Sequence, residues 1–272
     1  MIRLCWLSCL LAPCLLQPAE AADARQEIVI VHFGDSTCIT SYLPETQGVE
    51  AVLNDRLSAF YKHQKIVSHN VAAGGDYIRQ FLDSGRYKKS VKDKIPHVVI
   101  ALIRYGHNDQ KHCEPVEFKR HLEEFCDLLT TDYPGIQIIL ETNTWVDPEH
   151  HAVDPETSVK LNERMNSVWA VVRQLAEERK YPLIEIYERK KRETEAGNWD
   201  QRIRNQKLSQ EKFAKPILDG SKDGDMKDVP GWFYDNHPNA NGVKIIADEE
   251  FKTITGLWPK ALPAGHQEDD RR

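Results

Sequence analysis

Three uninterrupted apolar runs decide what this chain can fold into. Glu27 to Phe33 reads EIVIVHF, His97 to Arg104 reads HVVIALIR, and Ile136 to Glu141 reads IQIILE. Each is short and rich in β-branched residues, and none shows the strict apolar–polar alternation of a strand with one wet face. They read as strands covered on both faces, which is a property of parallel sheets flanked by helices. Lys65 to Asn70 and Leu183 to Tyr187 supply the second and fifth strands of the series. The intervening stretches have helical spacing. Val49 to His63 carries Val49, Val52, Leu53, Leu57 and Phe60, and Pro115 to Thr130 places Phe118, Leu122, Phe125 and Leu129 on one face. Pro155 to Lys180 is a long helix and Asn241 to Ile254 a closing one. Strand and helix alternate, so the expected fold class is α/β with a central parallel sheet. Glu188 to Asp228 is highly charged with few periodic apolar residues and reads as surface excursion and helix.

Composition narrows the class of protein. The chain has 272 residues, 40% hydrophobic and 29% charged, which excludes a disordered chain and a multi-span membrane protein. Against 36 Lys and Arg stand 42 Asp and Glu, a net charge of −6 that does not suit a nucleic-acid partner. The first residues read as a signal peptide over 1–22: Arg3 is a basic start, Leu4 to Leu16 is apolar apart from Ser8 and Pro13, and small-x-small cleavage sites end between Ala21 and Ala24. The apolar run is short for a membrane anchor, and Pro13 before Cys14 fits a lipoprotein signal poorly. The expected location is therefore secreted or periplasmic, with no stable membrane insertion once the signal is removed. One domain is expected over 25–262, followed by a polar tail over 263–272. Removal of the leader takes Cys5, Cys9 and Cys14 and leaves Cys38, Cys113 and Cys126, enough for at most one internal disulfide. No C-x-x-C spacing supports a cysteine zinc site.

The chemistry-bearing residues fall just after strands, at the edge where open α/β sheets bind ligands. Gly34-Asp35-Ser36 follows the first strand, Asn70-Val71-Ala72-Ala73-Gly74-Gly75-Asp76 the second, and Gly106-His107-Asn108-Asp109 the third. Asp235-Asn236-His237-Pro238-Asn239 precedes the last helix. A serine hydroxyl becomes a nucleophile when a base takes its proton, and His237, in a loop stiffened by Pro238, is the histidine placed to do so. A glycine N–H in an exposed turn and an asparagine amide are natural donors to a developing oxyanion; Gly75 and Asn108 are both on strand-end loops. Taken singly, Ser36 also reads as a helix N-cap and Gly75 and Asn108 as turn formers. The four blocks in this order, on loops that converge, favour the catalytic reading.

In these blocks the chain resembles the SGNH hydrolases, the GDSL esterase/lipase superfamily, from Ile28 to about Ile254. The resemblance implies a flavodoxin-like three-layer α/β/α domain, Ser36 as nucleophile and His237 as base. It also implies an oxyanion hole of the Ser36 N–H, the Gly75 N–H and the Asn108 amide, with no cofactor and no metal. One departure stands out: the family's D-x-x-H would put an acid where this chain has Tyr234, and the nearest carboxylate is Asp235. The partner of His237 stays open. Either Asp235 orients it, or a backbone carbonyl or another acid does; with a carbonyl, the site is a Ser-His dyad. Asp35 and Asp109 read as ties between loops and backbone N–H groups. His150-His151 reads as solvent-facing rather than metal-binding, and Lys190-Lys191-Arg192 as a solvated face. Trp145 and Trp232 read as pocket walls or core residues, and Arg104 and Tyr105 as scaffolding.

The expected protein is a secreted serine esterase that hydrolyses short-chain acyl esters, acetyl foremost, on a small molecule or a polysaccharide. The alternatives are a lysophospholipase or thioesterase on the same fold, and a non-catalytic glycan-binding relative.

Overall fold

Residue parity along the first strand sets the architecture of the computed structural model, which describes residues 26–40, 43–148, 155–199, 202–204, 232–234 and 237–263. In β1 (Gln26–Gly34) successive side chains point to opposite faces. Ile28 and Ile30 join one buried cluster, Val29, Val31 and Phe33 the other. The same split recurs in β3 (Ile100–Arg104), where Ile100 and Leu102 face one way and Ala101 and Ile103 the other. In β4 (Gln137–Glu141) Ile139 opposes Ile138 and Leu140. A sheet apolar on both faces needs a helical layer on each.

Those layers come from the crossovers that parallel strands require. α1 (Val49–Phe60) and α6 (Ala240–Leu257) pack Val49, Leu53, Leu57, Val243, Ile246 and Ile254 against one face. On the other lie α2 (Ile78–Asp83), α3 (Pro115–Asp132) and α4 (Pro155–Arg179). All four residues expected on the inner face of α3 are buried. Phe33, Phe81 and Phe125 meet edge to face, with centroids 5.2–6.2 Å apart, the arrangement that aromatic quadrupoles prefer.

With β2 (Gln64–Asn70) and β5 (Leu183–Ile184), the sheet has five strands, all parallel, in the order β2-β1-β3-β4-β5. This is the flavodoxin-like order, and it bears out the three-layer α/β/α expectation. It also creates a topological switch point between β1 and β3, where the crossovers leave in opposite directions and a crevice opens at the carboxyl edge. The loops that carry Ser36 and Asn108 leave the sheet there.

Several elements differ from the sequence reading. The fifth strand ends at Ile184 and α5 (Ile186–Glu195) begins almost at once, burying Ile186 and Tyr187. Phe60, read as an inner residue of α1, is 47% exposed at the helix end and lies edge-on to Phe251. The charged excursion contributes β6 (Arg202–Arg204), which pairs antiparallel with β7 (Trp232–Tyr234) beyond it. Cys38, Cys113 and Cys126 are all free thiols. The leader over 1–22, His150-His151 and most of the tail over 263–272 lie outside the described residues. Among the described residues no helix is long and apolar enough to cross a membrane.

Candidate active site

The first strand delivers Ser36 through a turn that its neighbours lock. Gly34 has no room for a side chain: a Cβ there would run into the Cys38 sulfur and lie 2.9 Å from the Arg104 carbonyl. The buried Asp35 carboxylate accepts from the Thr37 N–H at 2.9 Å and the Thr37 hydroxyl at 2.7 Å. The Cys38 N–H closes the turn on the Asp35 carbonyl at 3.0 Å. From the loop after β4, the Asn143 amide donates to Thr37 Oγ1 at 2.5 Å. Ser36 is left half-buried at the crest of this turn.

The second loop is tied to the first. The Ala73 N–H reaches the Gly34 carbonyl at 3.3 Å, and the Asn70 amide donates to the Cys38 carbonyl at 2.9 Å. Gly75 then adopts φ +75°, a left-handed conformation that costs a glycine nothing, and its surroundings are open. Asp76 is buried, accepting from the Tyr105 hydroxyl at 2.9 Å and pairing with Arg86 at 3.0 Å.

The third loop carries Asn108, buried at its tip. Its Nδ2 donates to the Asp76 carbonyl at 3.1 Å, so the asparagine stands against the residue that follows Gly75. The Asn108 Oδ1 accepts from Lys111 Nζ at 3.1 Å. Asp109 staples the two loops together, accepting from the Ile78 N–H at 3.0 Å and the Gly106 N–H at 2.9 Å. Burial pushes its carboxyl up to about 7, while those two N–H groups pull it back toward the charged form. Asp35 and Asp109 thus act as loop ties, and Arg104 and Tyr105 are buried scaffolding.

His237 arrives from the opposite end of the chain. Asn239 caps α6, its Oδ1 accepting from the Gly242 N–H at 2.8 Å, so the block H-P-N marks the start of that helix. The cap fixes where the preceding imidazole stands. His237 Nε2 lies 2.8 Å from Ser36 Oγ, a hydrogen bond between residues 201 positions apart. A hydroxyl in hydrogen-bond reach of an imidazole is the arrangement that base activation requires.

The structure therefore brings together Ser36 and His237, and separately Gly75's loop and Asn108. Asp235 lies outside the described residues. Trp145 packs in the core rather than lining the site. Asn143 and Lys111 were not read from the sequence as site residues. A lone polar residue after a strand carries no signal of which distant loop it will meet.

Beneath the site lies a buried ionic cluster. Arg104 Nε binds Glu141 Oε2 at 2.6 Å and its Nη2 binds Glu250 Oε1. All three residues are buried. Burial and the neighbouring Glu141 hold the Glu250 carboxyl well above the usual carboxylate range. Burial, with Arg104 nearby, drives His32 down to about 3, so it is neutral.

Comparison with known proteins places this arrangement. Among solved structures, a putative GDSL-like lipase from Parabacteroides merdae superimposes with a TM-score of 0.61 at 15% identity, covering 86% of this chain and 97% of its own. A member of the lipolytic G-D-S-L family from Veillonella parvula gives 0.56 at 15% identity, covering 84% and 98%. An acetylxylan esterase from Geobacillus stearothermophilus gives 0.54 at 18%, covering 83% and 93%. At these identities the likeness is one of fold. A search of curated protein sequences finds no match. The sequence model described as GDSL-like Lipase/Acylhydrolase matches residues 30–250, from β1 into α6, and so takes in all four loops. With its four blocks, its sheet order and that match, the chain belongs to the GDSL-like lipase/acylhydrolase family and is a hydrolase of the esterase and lipase kind.

Proposed function

We propose that this protein is a serine esterase that removes short acyl groups, acetyl foremost, from carbohydrate hydroxyls outside the cytoplasm. The observation that carries the serine chemistry is the 2.8 Å contact between Ser36 Oγ and His237 Nε2. With its proton on Nδ1, His237 accepts the Ser36 hydroxyl proton through Nε2 as Oγ attacks the ester carbonyl. The carbonyl oxygen becomes an oxyanion, for which the Ser36 N–H, the Gly75 N–H and the Asn108 amide are the donors. His237 then gives its proton to the leaving alcohol, and the acyl group remains on Oγ. Water, deprotonated by His237, attacks the acyl-enzyme, and the collapse returns the proton to Ser36 and releases the acid. Asp235, two residues before His237, is assigned the task of holding the imidazole in the productive tautomer.

Carbohydrate as the alcohol has three supports. One is the expected export signal. Another is the acetylxylan esterase among the structural neighbours. The third is a stacked ring pair, Tyr77 on His112, with centroids 4.0 Å apart and planes 18° from parallel. These rings come from the loops of Gly75 and Asn108, and His112 is exposed. A flat exposed ring is a surface on which a sugar stacks.

Two measurements test the proposal. Acetate released from a panel of acetylated polysaccharides is expected for at least one member. A chain-length series of p-nitrophenyl esters is expected to peak at acetate or propionate; a peak at long acyl chains would move the assignment to the lysophospholipase reading. Within the site, Asn108→Ala is expected to lower kcat by about two to three orders of magnitude with little change in KM, as the loss of one preorganised oxyanion donor does. A change confined to KM would make Asn108 a substrate-binding residue instead.

A further inference from the structure

We infer that Lys111 is a positioning residue for the Asn108 amide: its ammonium sets which end of the amide faces the site and polarises the N–H that meets the substrate oxygen. The inference rests on the reading of Asn108 as an oxyanion donor.

An asparagine amide is nearly symmetric in shape. Its oxygen offers two lone pairs and its nitrogen two N–H donors, so packing alone does not choose which end faces a site. Here the choice is made chemically from two sides. Lys111 Nζ can only donate, and it meets Oδ1 at 3.1 Å. The Asp76 carbonyl can only accept, and it meets Nδ2 at 3.1 Å. A flipped amide would set donor against donor and acceptor against acceptor, and would lose both bonds. One N–H is occupied by Asp76, and the second is the group left for a substrate oxygen.

The backbone explains why Lys111 is in place. Asn108 caps the single 3-10 turn Asp109–Lys111, and side chains three residues apart eclipse in that geometry. The Lys111 N–H closes the turn on the Asn108 carbonyl at 2.9 Å. The buried Asp109 carboxylate fastens the same turn to the loops on either side. The amide is buried and the lysine exposed, so the ammonium approaches a low-dielectric dipole from the solvent side.

Polarisation then favours the transition state. A cation on Oδ1 draws electron density from the amide nitrogen and strengthens its remaining donor, as neighbouring hydrogen bonds polarise one another. That bond gains most when the carbonyl oxygen turns into an oxyanion, so the benefit belongs to kcat rather than to substrate binding.

Lys111→Met keeps the stem and removes charge and donor; Lys111→Arg keeps both. On p-nitrophenyl acetate, Lys111→Met is expected to lower kcat by about 10-fold or more, the scale of a lost hydrogen bond to a charged group. KM should change by less than about 3-fold, and Lys111→Arg should recover most of the rate. In an Asn108→Ala background, Lys111→Met should change nothing further, because the group through which it acts is gone. Both variants should keep the wild-type melting temperature. An unchanged kcat in Lys111→Met, a loss confined to KM, or a loss of equal size in the Asn108→Ala background would overturn the inference. If the wild-type protein itself neither hydrolyses esters nor takes a fluorophosphonate label, the esterase reading fails, and this inference with it.

Discussion

Ser36→Ala is expected to abolish ester hydrolysis and fluorophosphonate labelling while leaving the fold as it is. The turn around Ser36 is held by Asp35, Thr37, Cys38 and Asn143, and none of those bonds uses the serine hydroxyl. The side chain is half-buried, and its oxygen bonds to His237. Its removal therefore costs the fold about 1 kcal/mol or less. Catalysis has no such reserve. On the proposed mechanism no acyl-enzyme forms without Oγ, and the loss of a lone serine nucleophile reaches about six orders of magnitude in kcat. A circular dichroism melt beside a p-nitrophenyl acetate assay checks both halves. Turnover near the wild-type rate in the variant would move the nucleophile elsewhere.

The second large effect is expected on stability. Arg104→Met should lower the stability of the fold by about 3–5 kcal/mol, since it leaves buried carboxyl groups without their cation. For a domain of this size that is a fall in melting temperature of roughly 6–20 °C. Glu250→Gln should cost far less. The Glu250 carboxyl is held well above the usual range, so its neutral form is the one favoured in the fold, and a glutamine oxygen can still accept from Arg104. The same group predicts a pH dependence. Because burial and Glu141 raise its carboxyl, Glu250 binds a proton more tightly in the fold than in the unfolded chain, which releases it above about pH 4.3. The stability it contributes is complete below that value and is lost as pH rises toward the folded-state pKa. Denaturant melts across that range should show a negative slope in the wild type and a shallower one in Glu250→Gln. An equal slope in both would remove Glu250 as its source.

That cluster also couples the scaffold to the chemistry. Arg104 ends β3, Glu141 ends β4 and Glu250 lies on α6, the helix whose capped start carries His237. The bonds of Arg104 to Glu141 and Glu250 fix how α6 lies against the sheet, and α6 in turn carries His237 to Ser36. A variant that loosens α6 is expected to lose activity before it loses secondary structure.

Much of this was legible in the residues. The apolar runs named the strands, because a strand buried on both faces tolerates little else. The helical spacing of Phe118, Leu122, Phe125 and Leu129 named the inner face of α3. Ser36, Gly75 and Asn108 were singled out because parallel strands put their carboxyl ends on one edge, and His237 because the loop entering the last helix reaches that edge. Where the reading failed, the local signal was short or shared. Tyr187 continues an apolar run, yet the chain turns into a helix at Ile186, since two paired residues suffice at the sheet's edge. At Trp145 the reading left pocket wall and core open, since nothing in its neighbours tells the two apart, and the residue is buried in the core.

The sequence by itself determined which segments are strands, which faces are buried and which residues are candidates for the chemistry, because these follow from periodicity and from residue type, and both are local. Tertiary structure alone decided the strand order, and with it the crevice between β1 and β3. It alone set His32, Arg104 and Glu141, the polar ends of three apolar strands, on one face and brought Glu250 to them from α6. It alone placed Asn143 on Thr37 and His237 on Ser36. These contacts join residues from 37 to 201 positions apart. No local pattern encodes them; they exist because burying both faces of the sheet leaves the helices few places to go, and the polar groups caught between must pair where they meet.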